Sequence, residues 1–316
     1  MSEVAISVNN LVRSFGGFTA VNDLSFEVMR GSVCGFVGAN GAGKTTTMRM
    51  LSTLDYPTSG SIEVCGHDVV AYPEKVRAIL GWMPDDFGHY NNMTVLDYID
   101  FYARSYGFQG AEREMRVREV MEFTDLLPIQ ERLSNKLSKG MTQRLCLART
   151  MLHDPEVLIL DEPAAGLDPK ARVELKNLIR ILADEGKTIF ISSHILSELG
   201  EMCDSMLFIN DGRIVHHGDA QSLKNRAQRD GQVYLVELHG TARQLEDWAI
   251  TTPYAEVIDT TLHGGRLRIQ DDTNPEVAAD LLRNMITSGL KVSEFKREEQ
   301  NLESSFIEIL AESNAQ

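Results

Sequence analysis

Ser32-Val33-Cys34-Gly35-Phe36-Val37-Gly38-Ala39-Asn40-Gly41-Ala42-Gly43-Lys44-Thr45-Thr46 is the stretch that decides the fold. Its apolar opening, Ser32 to Val37, predicts a buried strand, and residues Gly38 to Thr45 fit the pattern G-x-x-x-x-G-K-[ST]. Thr45 to Leu54 is then the helix whose N-terminus faces the loop. Glycines at 38, 41 and 43, with Asn40 and Ala42 between them, let backbone N–H groups close on phosphate oxygens, and the helix dipole favours the same anion. Lys44 is expected to hold β- and γ-phosphates, Thr45 to place its hydroxyl on Mg²⁺, and Thr46 to add a hydroxyl near the α-phosphate.

Four further motifs follow in order: Leu137-Ser138-Lys139-Gly140-Met141, Leu158-Ile159-Leu160-Asp161-Glu162-Pro163, Gly166-Leu167-Asp168-Pro169 and Ser192-Ser193-His194. The runs Glu156 to Leu160 and Thr188 to Ser192 are continuously apolar or small, as in strands covered on both faces, and point to a parallel α/β sheet. Asp161, at such a strand end, is expected to hold the metal through water, and Glu162 to polarise an attacking water. His194 ends the second strand, where an imidazole can reach the γ-phosphate. Phosphoryl transfer asks the protein mainly for positioning and charge stabilisation, and these groups supply both.

The chain has 316 residues and a net charge of -15. That balance, with no Lys/Arg run, argues against nucleic acid as the main partner. From Gly231 to Gln316 there are seven Lys/Arg against fifteen Asp/Glu, so the last quarter is chemically distinct. Cys34, Cys65, Cys146 and Cys203 have no metal-ligand spacing, which suits a reducing compartment and buried, inert thiols. No signal segment or run of about 20 apolar residues occurs, so the expectation is a cytosolic protein that does any membrane work through a partner.

Residues 4 to 8 and 24 to 28 read as strands. Between about 86 and 155 the character is helical, with Val95 to Tyr106 and Arg113 to Leu127 as helices of an inserted subdomain. Met206 to Ile209, the turn Asn210-Asp211-Gly212 and Arg213 to Val215 read as a hairpin. Two domains are expected, 1–228 and 229–316. The second reads β-α-β-β-α-β, a ferredoxin-like order, with Pro275 opening its second helix and a closing amphipathic helix carrying Leu302, Phe306, Ile307 and Leu310.

With these motifs in place, residues 4 to about 226 resemble the ATP-binding cassette (ABC) ATPases, a P-loop NTPase fold. Ser138 and Gly140, followed by Gln143-Arg144, look like the signature of that family. The resemblance implies that this loop contacts the γ-phosphate bound by a second subunit, so that a dimer, here a homodimer, sandwiches two ATP. It also implies that Phe15 stacks on adenine and that Asp168 crosses the dimer interface.

Two departures stand out. Lys139 and Met141 replace the usual second glycine and the glutamine of the signature, and Asp85 stands where the family pattern places glutamine. A carboxylate at 85 can bind Mg²⁺ more strongly than an amide, or repel the γ-phosphate, or face solvent and shape a docking surface.

The acidic tail, ending Asn301-Leu302-Glu303-Ser304-Ser305-Phe306, resembles that of ATPase subunits of bacterial type-2 exporters. Those act with a separate integral-membrane permease, peripherally on the inner face of the cell membrane. The alternatives are a soluble non-transport ABC ATPase and an ATP-dependent regulatory module.

Overall fold

The computed structural model describes residues 3–86, 88, 90, 92–200, 202–219, 232–252, 254–269 and 275–298. The chain divides into two compact units, Met1–Ala220 and Gln221–Gln316. The expected boundary segment, Lys224 to Gly231, and the closing helix at 302 to 310 lie outside the described residues.

In the first unit β1 (Val4–Phe15) and β2 (Phe18–Met29) form a hairpin turned by Gly16-Gly17, with Gly16 at φ +58°. The first strand is longer than its expected range, 4 to 8. A bulge between Val8 and Leu11, with Asn10 at φ +48°, interrupts the alternation and then lets it resume. Next come β3 (Val33–Val37), α1 (Lys44–Leu51), β4 (Ser59–Val64), β5 (His67–Asp68), α2 (Pro73–Ile79) and β6 (Leu80–Met83).

The helical insertion contributes α3 (Val95–Ser105), α4 (Gly110–Phe123) and α5 (Lys139–Met151). Thr94 and Asp97 open α3 with reciprocal capping bonds. α4 stops at Phe123, short of the expected Leu127, because Thr124 turns its hydroxyl back to the Val120 carbonyl at 2.6 Å and Asp125 takes φ +56°. Val95, Tyr98, Ile99, Val120, Met121 and Leu145 form this region's core. The unit closes with β7 (Val157–Leu160), α6 (Pro169–Asp184), β8 (Thr188–Ser193), α7 (Leu196–Leu199), β9 (Ser205–Asn210) and β10 (Arg213–Gly218).

Two sheets result. One is antiparallel, in the order β2-β1-β4-β5; the other runs β10-β9-β3-β8-β7-β6, with every neighbour parallel except the β9–β10 hairpin. Their residues share one apolar core. Phe26 of β2 stacks on Phe190 of β8 at 5.6 Å, and Phe190 lies 5.2 Å from Phe36 of β3. Each such pair adds about 0.5–1.5 kcal/mol beyond its buried area. This order puts β3, β8 and β7 side by side, so the loops at their C-terminal ends meet.

The second unit has β11 (Gln232–Leu238), α8 (Ala242–Ile250), β12 (Ala255–Thr260), β13 (Gly264–Ile269), α9 (Pro275–Thr287) and β14 (Val292–Arg297). Its sheet order, β12-β13-β11-β14, all antiparallel, is that of a split βαβ fold. Val236, Leu245, Trp248, Leu267, Leu281 and Met285 are buried between the sheet and the two helices.

Of the four thiols, Cys34 and Cys146 are buried, and burial pushes each up to about 12. Cys203 is partly exposed as a residue, but its sulfur lies against Gly35 of β3 and burial raises its thiol too, so only Cys65 departs from the expectation of buried thiols.

Candidate nucleotide site

The Gly38–Thr45 loop is shaped by backbone crowding. A β-carbon at Gly38 would stand 2.5 Å from the Ile209 carbonyl oxygen, and one at Gly43, which has φ +107°, 2.5 Å from that of Ala20. Neither position admits another residue without shifting the main chain. α1 has no side-chain cap, so its first N–H groups remain directed into the loop. Thr45 is exposed and Thr46 half-buried, and neither hydroxyl makes a hydrogen bond within the described residues. These features fit a phosphate cradle and a hydroxyl ligand for a hard cation.

Lys44 is buried, 6% exposed, with Nζ donating to the carbonyls of Gly38 at 2.6 Å and Ala39 at 3.2 Å. The same Nζ is 3.3 Å from Glu162 Oε1, a buried oxygen that accepts no hydrogen bond among the described residues. The contact is an ion pair whose directions fall outside hydrogen-bond geometry. Oε1 therefore keeps lone pairs to receive a proton.

Asp161 and Glu162 follow β7 directly. The Asp161 N–H donates to the Met83 carbonyl at 2.8 Å, carrying the β6–β7 ladder one residue further. Asp161 is 1% exposed, and its Oδ1 accepts from Ser192 Oγ at 2.7 Å. Ser192 Oγ in turn accepts from the Glu162 N–H at 2.8 Å. One buried hydroxyl thus joins both acids to the neighbouring strand. Glu162 sits at φ +49°, a left-handed conformation unfavourable for a side chain with a β-carbon. His194 Nδ1 donates to Glu162 Oε2 at 2.8 Å, leaving Nε2 as the ring's other polar atom.

Asp85 lies two residues beyond the end of β6, at the same sheet edge. Burial, and after it the charges of Asp161 and Glu162, raise its carboxyl above the usual range, while Lys139 opposes the shift. Asp85 therefore shares the electrostatic field of the acid pair. Among the described residues no group of three or more His, Cys, Asp or Glu forms a ready-made metal centre. Asp161, Asp85 and Thr45 carry oxygen atoms of the chemical kind that could hold Mg²⁺, which is commonly bound by one or two carboxylates plus substrate phosphates.

Ser138, Gly140 and Asp168 come together elsewhere, lining a groove of about 320 Å³ with Ala171. Ser138 caps α5 by accepting from the Met141 N–H at 3.4 Å, and Asp168 caps α6 by accepting from the Ala171 N–H at 2.9 Å. Gly140 lies so near α6 that a β-carbon would meet that of Ala171 at 2.9 Å. Arg144, paired with both Glu174 and Asp125, ties the two helices and the end of α4. Lys139 extends over Gly166, its Nζ 2.5 Å from where a β-carbon on that glycine would stand. Sequence reasoning gave neither Ser192 nor Gly166 a task. A small hydroxyl in a buried strand beside an acidic strand end was the available signal for the first; the second stands at the head of the Gly166-Leu167-Asp168-Pro169 motif, but nothing local showed that Lys139 would lie against it.

Comparison with known proteins agrees with this geometry. Residues 21–165 match the family model described as ABC transporter. The chain is 33% identical over 307 residues to the bacitracin transport ATP-binding protein BcrA of Bacillus licheniformis, covering 96% of this chain and 97% of that one. The chain belongs to the ABC transporter ATP-binding proteins.

This cassette is also 35% identical over 312 residues to the "Probable multidrug ABC transporter ATP-binding protein YbhF" of Escherichia coli (strain K12), covering 98% of the chain and 53% of that relative, so it spans about half the length of that protein. A solved structure titled "Structure of ATP binding subunit of ABC transporter" superposes with a TM-score of 0.64 at 28% identity, over 71% of the cassette chain and 93% of that one. The α/β P-loop NTPase fold of ABC type follows. Among the described residues no helix is long and apolar enough to cross a membrane.

Proposed function

We propose that the chain is the ATP-hydrolysing subunit of an exporter, dimerising around two Mg²⁺-bound ATP molecules to drive a separate integral-membrane permease. The observation that carries the hydrolytic reading is the Glu162 carboxylate, held between Lys44 and His194 with one oxygen open. The names of the relatives, drug and bacitracin transport, support the export reading.

Glu162 Oε1 takes the proton of the attacking water, and His194 fixes the carboxylate's orientation through Oε2. Lys44 and the loop N–H groups stabilise charge on the phosphates. Asp161, Thr45 and Asp85 would hold Mg²⁺, which when bound neutralises developing phosphate charge. Phe15 offers its exposed ring to the adenine. Ser138 and Gly140 address the γ-phosphate held by the second copy, and Asp168 of the same subunit as that serine crosses the interface beside the second copy's phosphate loop. The division near residue 228 separates this motor from a tail that folds on its own. The protein then works on the inner face of the membrane through its permease, with no role for nucleic acid.

Purification from detergent-solubilised membranes of its source tests the reading. Recovery with an integral-membrane protein, together with Mg²⁺-dependent phosphate release, is expected. Phosphate release without any membrane partner would leave a soluble ATPase, and ATP binding without release would leave a regulatory module.

A further inference from the structure

Phe15 ends β1 with its ring 47% exposed, and Arg13 lays its guanidinium over one side of that ring at 4.3 Å from the centroid. Arg13 does not lie loosely on the surface. Its Nη2 donates to Asp55 Oδ1 at 2.7 Å, with the two side chains only 22% and 19% exposed, and the Asp55 oxygen also accepts from the Tyr56 N–H at 2.9 Å. Arg13 Nε is buried and makes no hydrogen bond among the described residues, which leaves the Asp55 pair to fix the guanidinium plane. The turn bearing Asp55 follows α1 and is stitched to β1: the Thr58 N–H donates to the Val12 carbonyl at 2.8 Å, and the Ser14 N–H to Thr58 Oγ1 at 3.0 Å. A continuous set of contacts therefore links the phosphate-loop helix to one face of Phe15.

We infer that Arg13 is a positioning residue for the nucleotide base: anchored by Asp55, it occupies one face of Phe15 and presents the other as the platform on which the purine stacks. This rests on the proposed reading of Phe15 as the base-stacking residue. A half-exposed phenylalanine alone samples several orientations, and stacking then costs the ordering of its ring. The guanidinium removes that freedom beforehand and draws π density to its own side.

Equilibrium binding of Mg²⁺-ATP and of inorganic tripolyphosphate with Mg²⁺ to the full chain provides the test. Phe15→Ala should weaken ATP alone. Arg13→Leu should weaken ATP by about two- to fivefold, the range of an exposed cation–π contact, with tripolyphosphate unchanged. Asp55→Asn should move in the same direction, and Arg13→Leu combined with Phe15→Ala should bind ATP no more weakly than Phe15→Ala. Equal loss of tripolyphosphate binding in Arg13→Leu would assign Arg13 to general structure and overturn the inference. Unchanged ATP affinity in Arg13→Leu beside a loss in Phe15→Ala would also overturn it while leaving the base-stacking reading intact. No change in Phe15→Ala would remove that reading, and the inference with it.

Discussion

Glu162 and His194 are joined by a 2.8 Å hydrogen bond from the imidazole Nδ1 to Oε2, and the other carboxylate oxygen lies 3.3 Å from the Lys44 ammonium. The two carboxylate oxygens therefore have different surroundings: Oε2 is held by the imidazole, and Oε1 is buried beside the ammonium and accepts no hydrogen bond among the described residues. Glu162→Gln should bind ATP yet lose at least about a hundredfold in steady-state phosphate release, the scale of a lost general base. His194→Ala should also slow release while sparing ATP affinity. Near-wild-type turnover in Glu162→Gln would remove it from the chemistry.

Ser192→Ala strips the hydroxyl that bonds both Asp161 and the Glu162 N–H. Two buried polar groups are then left without partners, and urea unfolding should show a loss of about 1–3 kcal/mol. Phosphate release should fall as well, because the left-handed turn at Glu162 loses its tether. Unaltered stability would mean that water replaces the hydroxyl.

Ser138→Arg places a long cation at the exposed start of α5. ATP binding by the monomer should be nearly unchanged, while ATP-dependent dimerisation, followed by light scattering in the Glu162→Gln background, should vanish. The same substitution removes the α5 cap, so the free energy of unfolding should fall by about 1 kcal/mol. Loss of ATP binding in the monomer would place the signature loop in its own subunit's site.

Asp85 is raised by burial and by Asp161 and Glu162. A carboxyl whose folded value exceeds its unfolded value of about 3.8 binds protons more tightly in the folded state, so it removes stability as pH rises through that window, and the deficit persists at neutral pH. Asp85→Gln should therefore raise the melting temperature at pH 7 and leave it unchanged near pH 3. It should also weaken apparent Mg²⁺ affinity in ATPase titrations. Coincident Mg²⁺ curves with unchanged melting would make Asp85 a solvent-facing residue.

Much of the candidate phosphate site's backbone setting was legible because it is written in consecutive residues: a glycine loop between a strand and a helix, two acids after an apolar strand. The tail order was legible too, since alternation and turn residues mark each strand. What joins these pieces was not. The adjacency of β3, β8 and β7 depends on crossovers through helices, so nothing in the local sequence says that Ser192 faces Asp161. Arg13 and Asp55 lie forty-two positions apart and meet only because the turn after α1 bonds to β1. The full length of β1 was hidden because the bulge at Asn10 breaks the period that would announce it.

Lys139 and Gly166 approach closely, yet the backbone and not the contact decides what position 166 accepts. The lysine arm passes through space that any side chain at 166 would fill. That approach is soft, because the ammonium is the far end of an exposed, flexible arm and can swing aside. What holds position 166 to glycine is its φ of +67°, which strains any residue with a β-carbon whether or not Lys139 is present, so trimming the lysine alone would not widen the choice there.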